Sequence, residues 1–187
     1  PDGRTLVFHA VGKLWTRTLP NGRPQRLTQD AAHSEYQPAF SPDGRKLLYT
    51  TWSDADMGAI HELDLASGER ELVLRNDQQF AGVVTDADFQ VRLALRSRPD
   101  GGQDVLRPTA DGGWEVSESI GFEDFLTTGF GGITTDGRIA YLRESRGRNT
   151  VALVEVDLET DARRVVFEDP RADVANALAH PVTGRLQ

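Results

Sequence analysis

Hydrophobic residues fall in short runs that alternate with polar ones, and turn-forming pairs interrupt the chain every few residues. In 151–158, Ala152, Val154, Val156 and Leu158 share one face, while Leu153, Glu155 and Asp157 share the other. A period of two with apolar residues on both faces marks a strand sandwiched between layers. No stretch of ten or more residues carries a 3.6-residue apolar stripe, so the pattern predicts an all-β chain. Asp-Gly and Asn-Gly pairs supply the positive-φ residues that tight hairpins need, and the β-branched and aromatic residues beside them suit half-buried strands.

The runs repeat. One unit reads Ser41-Pro42-Asp43-Gly44, then Lys46-Leu47-Leu48-Tyr49-Thr50, Ala59-Ile60-His61-Glu62-Leu63, Ser67-Gly68 and a last run to Leu74. The same grammar opens at Pro1-Asp2-Gly3, returns at Thr135-Asp136-Gly137 and begins again at His180-Pro181-Val182-Thr183-Gly184. Gly3 to Gly44 is 41 residues, Gly44 to Gly137 is 93, and Gly137 to Gly184 is 47, so the middle interval holds two units. The second of these is degenerate at Asp86-Ala87-Asp88, where no glycine survives. A period of 41 to 47 residues with four short strands is the signature of a β-propeller blade.

Inner strands are expected at 37–41, 82–85, 130–134 and 174–180, followed by second strands at 5–10, 46–51, 90–96 and 138–143. Third strands are expected at 13–19, 59–65, 104–108 and 150–158, and outer strands at 24–28, 69–74, 113–117 and 163–167. The blades are then 1–30 plus 174–187, 37–75, 82–117 and 130–167, in one propeller domain or segment over 1–187. The first blade lacks an inner strand, and the C-terminal strand is expected to complete it. Either that strand closes a four-bladed ring, or the chain is a slice of a larger one, since rings span about 4–8 blades. A homodimer that pairs two half-rings is a third arrangement, because it would bury the open sheet edges.

Composition narrows the partners. With 29 acidic against 21 basic side chains and a net charge of −8, a nucleic-acid partner is not expected, because phosphate binding needs a basic face. No apolar run approaches the ~20 residues that span a bilayer, so no membrane partner is expected either. The absence of cysteine excludes disulfides, thiol catalysis and cysteine metal sites, and leaves bacterial cytoplasm and periplasm both open.

Ser41-Pro42-Asp43-Gly44, with Gln25-Arg26-Leu27-Thr28 before it, resembles the WD40-like PD40 repeat of TolB-type propellers. Residues 1–75 are most similar to propellers attached to amidohydrolases, through the run from His33 to Phe40 and through Thr50-Thr51-Trp52. Residues 75–187 resemble the N-terminal propeller of prolyl-oligopeptidase family (S9) serine peptidases, through Asn76-Asp77-Gln78-Gln79-Phe80-Ala81-Gly82, Asp86 to Ala94, Pro99-Asp100-Gly101-Gly102 and Trp114. The resemblance implies a non-catalytic half that gates short peptides for an α/β-hydrolase domain absent from this chain. Gly-x-Ser-x-Gly, the strained turn that would expose a hydrolase nucleophile, does not occur here, so the chain itself is not expected to be an enzyme. The alternatives are a stand-alone TolB-like scaffold for a protein or peptide ligand, or a recombined or designed propeller without evolved activity.

Isolated polar residues add little chemistry. The four histidines lie in different runs and form no His-Glu-x-x-His, so no metal site is expected. Asp54-x-Asp56-x-Gly58 starts like a calcium loop, but its twelfth position is Leu65 where a bidentate glutamate belongs, so it reads as a solvated hairpin tip. Asp100-Gly101-Gly102 and Gly131-Gly132 precede no helix that would cradle a phosphate. No cofactor is implied. The ligand-binding candidates are His33, Glu35 and Tyr36, in a connection between blades where propellers present loops to ligands.

Overall fold

The computed structural model describes residues 3–55 and 57–187, with Met57 described through its backbone alone. Pro1, Asp2 and Asp56, and with them parts of the first turn motif and of the Asp54–Gly58 tip, lie outside the described residues. The chain divides into two compact units, Pro1–Gln79 and Phe80–Gln187. No α-helix occurs among the described residues, and each unit contains two antiparallel sheets.

In the first unit, β1 (Thr5–Ala10), β2 (Lys13–Thr18) and β3 (Gln25–Arg26) form one sheet. The second sheet is β4 (Ser34–Phe40), β5 (Lys46–Ser53), β6 (Met57–Asp64) and β7 (Arg70–Arg75), in chain order. Alternation on β5 buries Leu47, Tyr49 and Thr51. Leu14, Leu47, Tyr49 and Leu63 make the shared core, with Val7, Leu27, Phe40 and Leu65 packed around it. β4 begins three residues earlier than expected. Its ladder shifts register between Tyr36 and Ala39, and this bulge absorbs Gln37 at φ 53° and Pro38, which has no N–H to offer.

The second unit contains β8 (Gly82–Thr85), β9 (Val91–Ser97), β10 (Gln103–Pro108) and β11 (Trp114–Ile120), and then β12 (Gly129–Ile133), β13 (Ile139–Glu144), β14 (Ala152–Asp157) and β15 (Arg163–Phe167). Leu93, Val105 and Ile120 form a core under Val84, Leu95, Phe130 and Leu158. Leu142, Ala152, Val154 and Val156 form another, as the two-sided alternation of 151–158 required. Each complete sheet is a four-stranded meander with its strands in chain order, which is the construction of a propeller blade.

The turns before β5, β9 and β13 share one hydrogen-bond pattern. Gly44 N donates to Ser41 O (2.9 Å), Gly137 N to Thr134 O (2.8 Å), and Phe89 N to Asp86 O (3.2 Å). All three donors have positive φ, which only glycine adopts without steric cost, so Phe89 at φ 61° occupies the glycine position of the degenerate unit.

The first sheet has three strands among the described residues, and the C-terminal segment is described within the second unit. Residues 174–187 form no named strand. Ala179 bridges Leu186, and His180 N donates to Arg185 O (2.6 Å), just as Ser41 N donates to Lys46 O (3.0 Å). This is the inner hairpin of a further repeat. Thr135 holds it in place, with its N–H on Thr183 O (3.0 Å) and its hydroxyl on Val182 O (2.6 Å). A Cβ on Gly184 would stand 2.5 Å from Ile133 O, so the hairpin fits closely against the turn of the fourth sheet. With its carbonyls so engaged, the segment belongs to the second unit.

Candidate functional site

The structure separates the three candidate residues. His33 lies in the connection that follows β3 and lines a cavity of about 660 Å³ bounded by that connection, by β5 and β6, and by the start of β7. Glu35 is 0% exposed on β4. Its Oε2 accepts from Leu14 N (3.1 Å) and from the Thr28 hydroxyl (2.5 Å), and its own N–H donates to Gly12 O (3.0 Å). Glu35 therefore pins the two sheets of the first unit together. Tyr36 points to the other side of the strand, as adjacent residues do. Its ring meets His9 edge-on at 5.7 Å.

Around His33 the fold collects residues that no local motif announced. Asp30 Oδ1 accepts from Ala32 N (2.9 Å) and His33 N (3.0 Å), an Asx-type turn that sets the entry to β4. His33 Nδ1 stands 3.0 Å from Asp30 Oδ2, and Arg70 Nη1, from the start of β7, donates to the same oxygen at 2.8 Å. Burial alone would raise the Asp30 pKa. The hydrogen bonds from Arg70, His33 and Ala32 outweigh burial and hold this carboxyl well below the usual range. Because the carboxylate is ionised it can only accept, so His33 Nδ1 carries the proton. Lys13 Nζ fastens the same connection by donating to Asp30 O and His33 O, both at 2.7 Å.

Arg70 lies beside the phenol of Tyr49, which is 1% exposed and lines the same cavity. Burial pushes that phenol up, and Arg70 partly offsets the effect. His61 stacks on Tyr49 at 5.7 Å and is pushed down first by burial and then by the Arg70 charge. Asp30 and His33 are visible in sequence as a turn three residues long. Arg70 is 40 residues from Asp30, and no sequence signal linked the two.

The second unit has its own charged cluster. Glu118 on β11 and Glu144 on β13 are bridged by Arg146 and Arg163, with Arg146 Nη2 2.7 Å from Glu118 Oε2 and Arg163 Nη1 3.0 Å from Glu144 Oε2. Burial would raise Glu144, and the two arginines more than reverse that. The four charges balance, which is the arrangement of a structural clamp between neighbouring blades. Among the described residues, no group of three or more His, Asp or Glu side chains is placed to hold a metal.

No protein-family model matches the chain. It is 45% identical over 176 residues to dipeptidyl aminopeptidase BIII of Pseudoxanthomonas mexicana, a match covering 93% of this chain and 26% of that protein. Both stretches of the sequence that resembled different propellers fall within this one alignment. Among solved structures, a putative TolB from Agrobacterium tumefaciens superposes with a TM-score of 0.59 at 18% identity, over 90% of this chain and 60% of that one. A puromycin hydrolase superposes with a TM-score of 0.57 at 15% identity, over 90% of this chain and 30% of that one. At such identities the likeness establishes the fold, which is that of a β-propeller. The chain spans about a quarter of the curated relative it matches and is similar to a propeller segment of that peptidase.

Proposed function

We propose that this chain is the non-catalytic propeller segment of an S9-type peptidase, where it admits and positions short peptides for a separate α/β-hydrolase domain. The observation that carries this reading is the 45% identity across 93% of the chain to a dipeptidyl aminopeptidase. The lack of Gly-x-Ser-x-Gly supports a division of labour in which the nucleophile lies outside these residues. The TolB-like scaffold remains the competing reading, and 18% identity to a TolB supports it less than the peptidase match supports the first.

The test is enzymatic. The chain alone should release no chromophore from dipeptidyl nitroanilides. The whole protein should cleave these and short peptides while sparing a long unfolded polypeptide. Disulfides engineered between blades should change that length limit if the propeller is the gate. Turnover by this chain alone, or a length limit indifferent to the engineered disulfides, would refute the proposal. Solution mass bears on assembly, because a dimer of the isolated chain is expected if open half-rings pair.

A further inference from the structure

The cavity of the first unit is larger than two packed sheets require. β3 ends after two residues, so no ladder of the first sheet continues over Tyr49, Leu63 and Leu65, and about 660 Å³ is left there. Small organic ligands occupy spaces of this size. Leu27, Leu63 and Leu65 form an apolar wall, and Asp30, His33, Tyr49 and Arg70 form a polar end.

The polar end has unfilled donors. Asp30 already accepts from two backbone N–H groups, His33 and Arg70, and Asp64 at the rim accepts from Ala66 N and Ser67 N of its own turn. Arg70 has five N–H donors and gives one to Asp30. The buried Tyr49 hydroxyl beside it has no hydrogen-bond partner of good geometry among the described residues. A guanidinium and a phenol O–H, both with protons to give, suit an acceptor. Of the two carboxylates that would attract a cation, Asp30 already accepts four hydrogen bonds, and Asp64 bonds its own backbone.

We propose that this cavity binds a small aliphatic carboxylate of the kind found at the C-terminus of a short peptide. Arg70 and the Tyr49 hydroxyl receive the carboxylate, and Leu27, Leu63 and Leu65 receive the side chain. This inference concerns the first unit alone and stands whether or not the whole protein is a peptidase. N-acetyl-L-leucine is the probe, titrated into the 187-residue chain and followed by amide NMR shifts. Saturable shifts are expected at Leu27, Leu65 and Arg70, with affinity in the millimolar range for so small a ligand. N-acetyl-L-leucinamide, which lacks the charge, should bind roughly ten-fold more weakly. Tyr49→Phe removes a buried hydroxyl that lies beside Arg70 without a hydrogen bond of good geometry, so it should hold the melting temperature to within a few degrees and weaken binding about ten-fold. Arg70→Gln should abolish binding, although it also unties Asp30, and so the tyrosine variant is the decisive one. Absence of saturable shifts, equal binding of the amide, or unchanged affinity in Tyr49→Phe would each overturn the proposal.

Discussion

Glu35 offers a direct test of how the first unit is held together. Its Oε2 is the shared acceptor for the Leu14 N–H and the Thr28 hydroxyl, and none of the three residues has appreciable access to water. Glu35→Ala leaves both donors buried without a partner. At about 1–3 kcal/mol for each stranded group, plus the hole left by the side chain, the cost should be about 3–5 kcal/mol. Glu35→Gln keeps an oxygen for both donors but sets its NH2 at the buried position of Oε1, which has no hydrogen-bond partner among the described residues. It should therefore cost about 1–3 kcal/mol, less than alanine, which strands two donors and leaves a hole. Urea unfolding followed by tryptophan fluorescence reads the difference, because Trp15 and Trp52 both belong to this unit. With a urea slope of about 1–3 kcal/mol/M, alanine should lower the midpoint by at least about 1 M, and glutamine by clearly less. If glutamine proves as damaging as alanine, the two bonds to Oε2 are not what holds the sheets and the pin described above is the wrong account. An undamaged alanine variant would be equally fatal to it.

Three further outcomes are expected. Val11 sits at φ 52° in the β1–β2 turn and is 98% exposed, so its side chain gains no burial for the strain; Val11→Asn should stabilise by about 1 kcal/mol, read as a rise of roughly 2–4 °C in melting temperature. Asp30 is depressed in the folded chain, so the unfolded state takes up its proton first: its contribution is complete above about pH 4 and is lost as pH falls further, and Asp30→Asn should flatten the acid limb of a stability–pH curve. Arg146→Met strips Glu144 and Glu118 of a shared partner inside a partly buried cluster and should cost about 2–3 kcal/mol by chemical denaturation, recovered in part when Glu118 is also made neutral.

What could be read ahead of the structure follows the range of the forces involved. Hairpins are local: the turn glycines and period-two runs put β1, β8 and β15 at the expected residues, because a tight turn declares its geometry within a few positions. β4 starts before the residues expected for it, and only the partner strand shows that a bulge at Gln37-Pro38 carries the ladder back to Ser34. The segment 174–180 has the apolar pattern of an inner strand, yet pattern alone does not say which sheet it joins. The bonds from Thr135 tie its turn at 182–183 to the turn before β13, within the second unit. For the candidate site, Asp30 and His33 are close in sequence, while the arginine that completes the cluster comes from the next sheet. Glu35 is a ligand candidate by its place in a connection between blades, and its burial depends on Leu14 and Thr28, which no spacing rule ties to it.

Phe89 has a consequence for anyone who would regularise these repeats. An averaged repeat would restore glycine there, relieving a backbone that costs a side-chain-bearing residue about 1–2 kcal/mol. But the Phe89 ring is itself buried, and deleting it would forfeit about 3–5 kcal/mol of packing. The strained residue is held by its packing: the buried ring outweighs the backbone cost. Reversion is uphill even though the backbone would welcome it, and a consensus drawn across blades would mistake this adapted position for a defect.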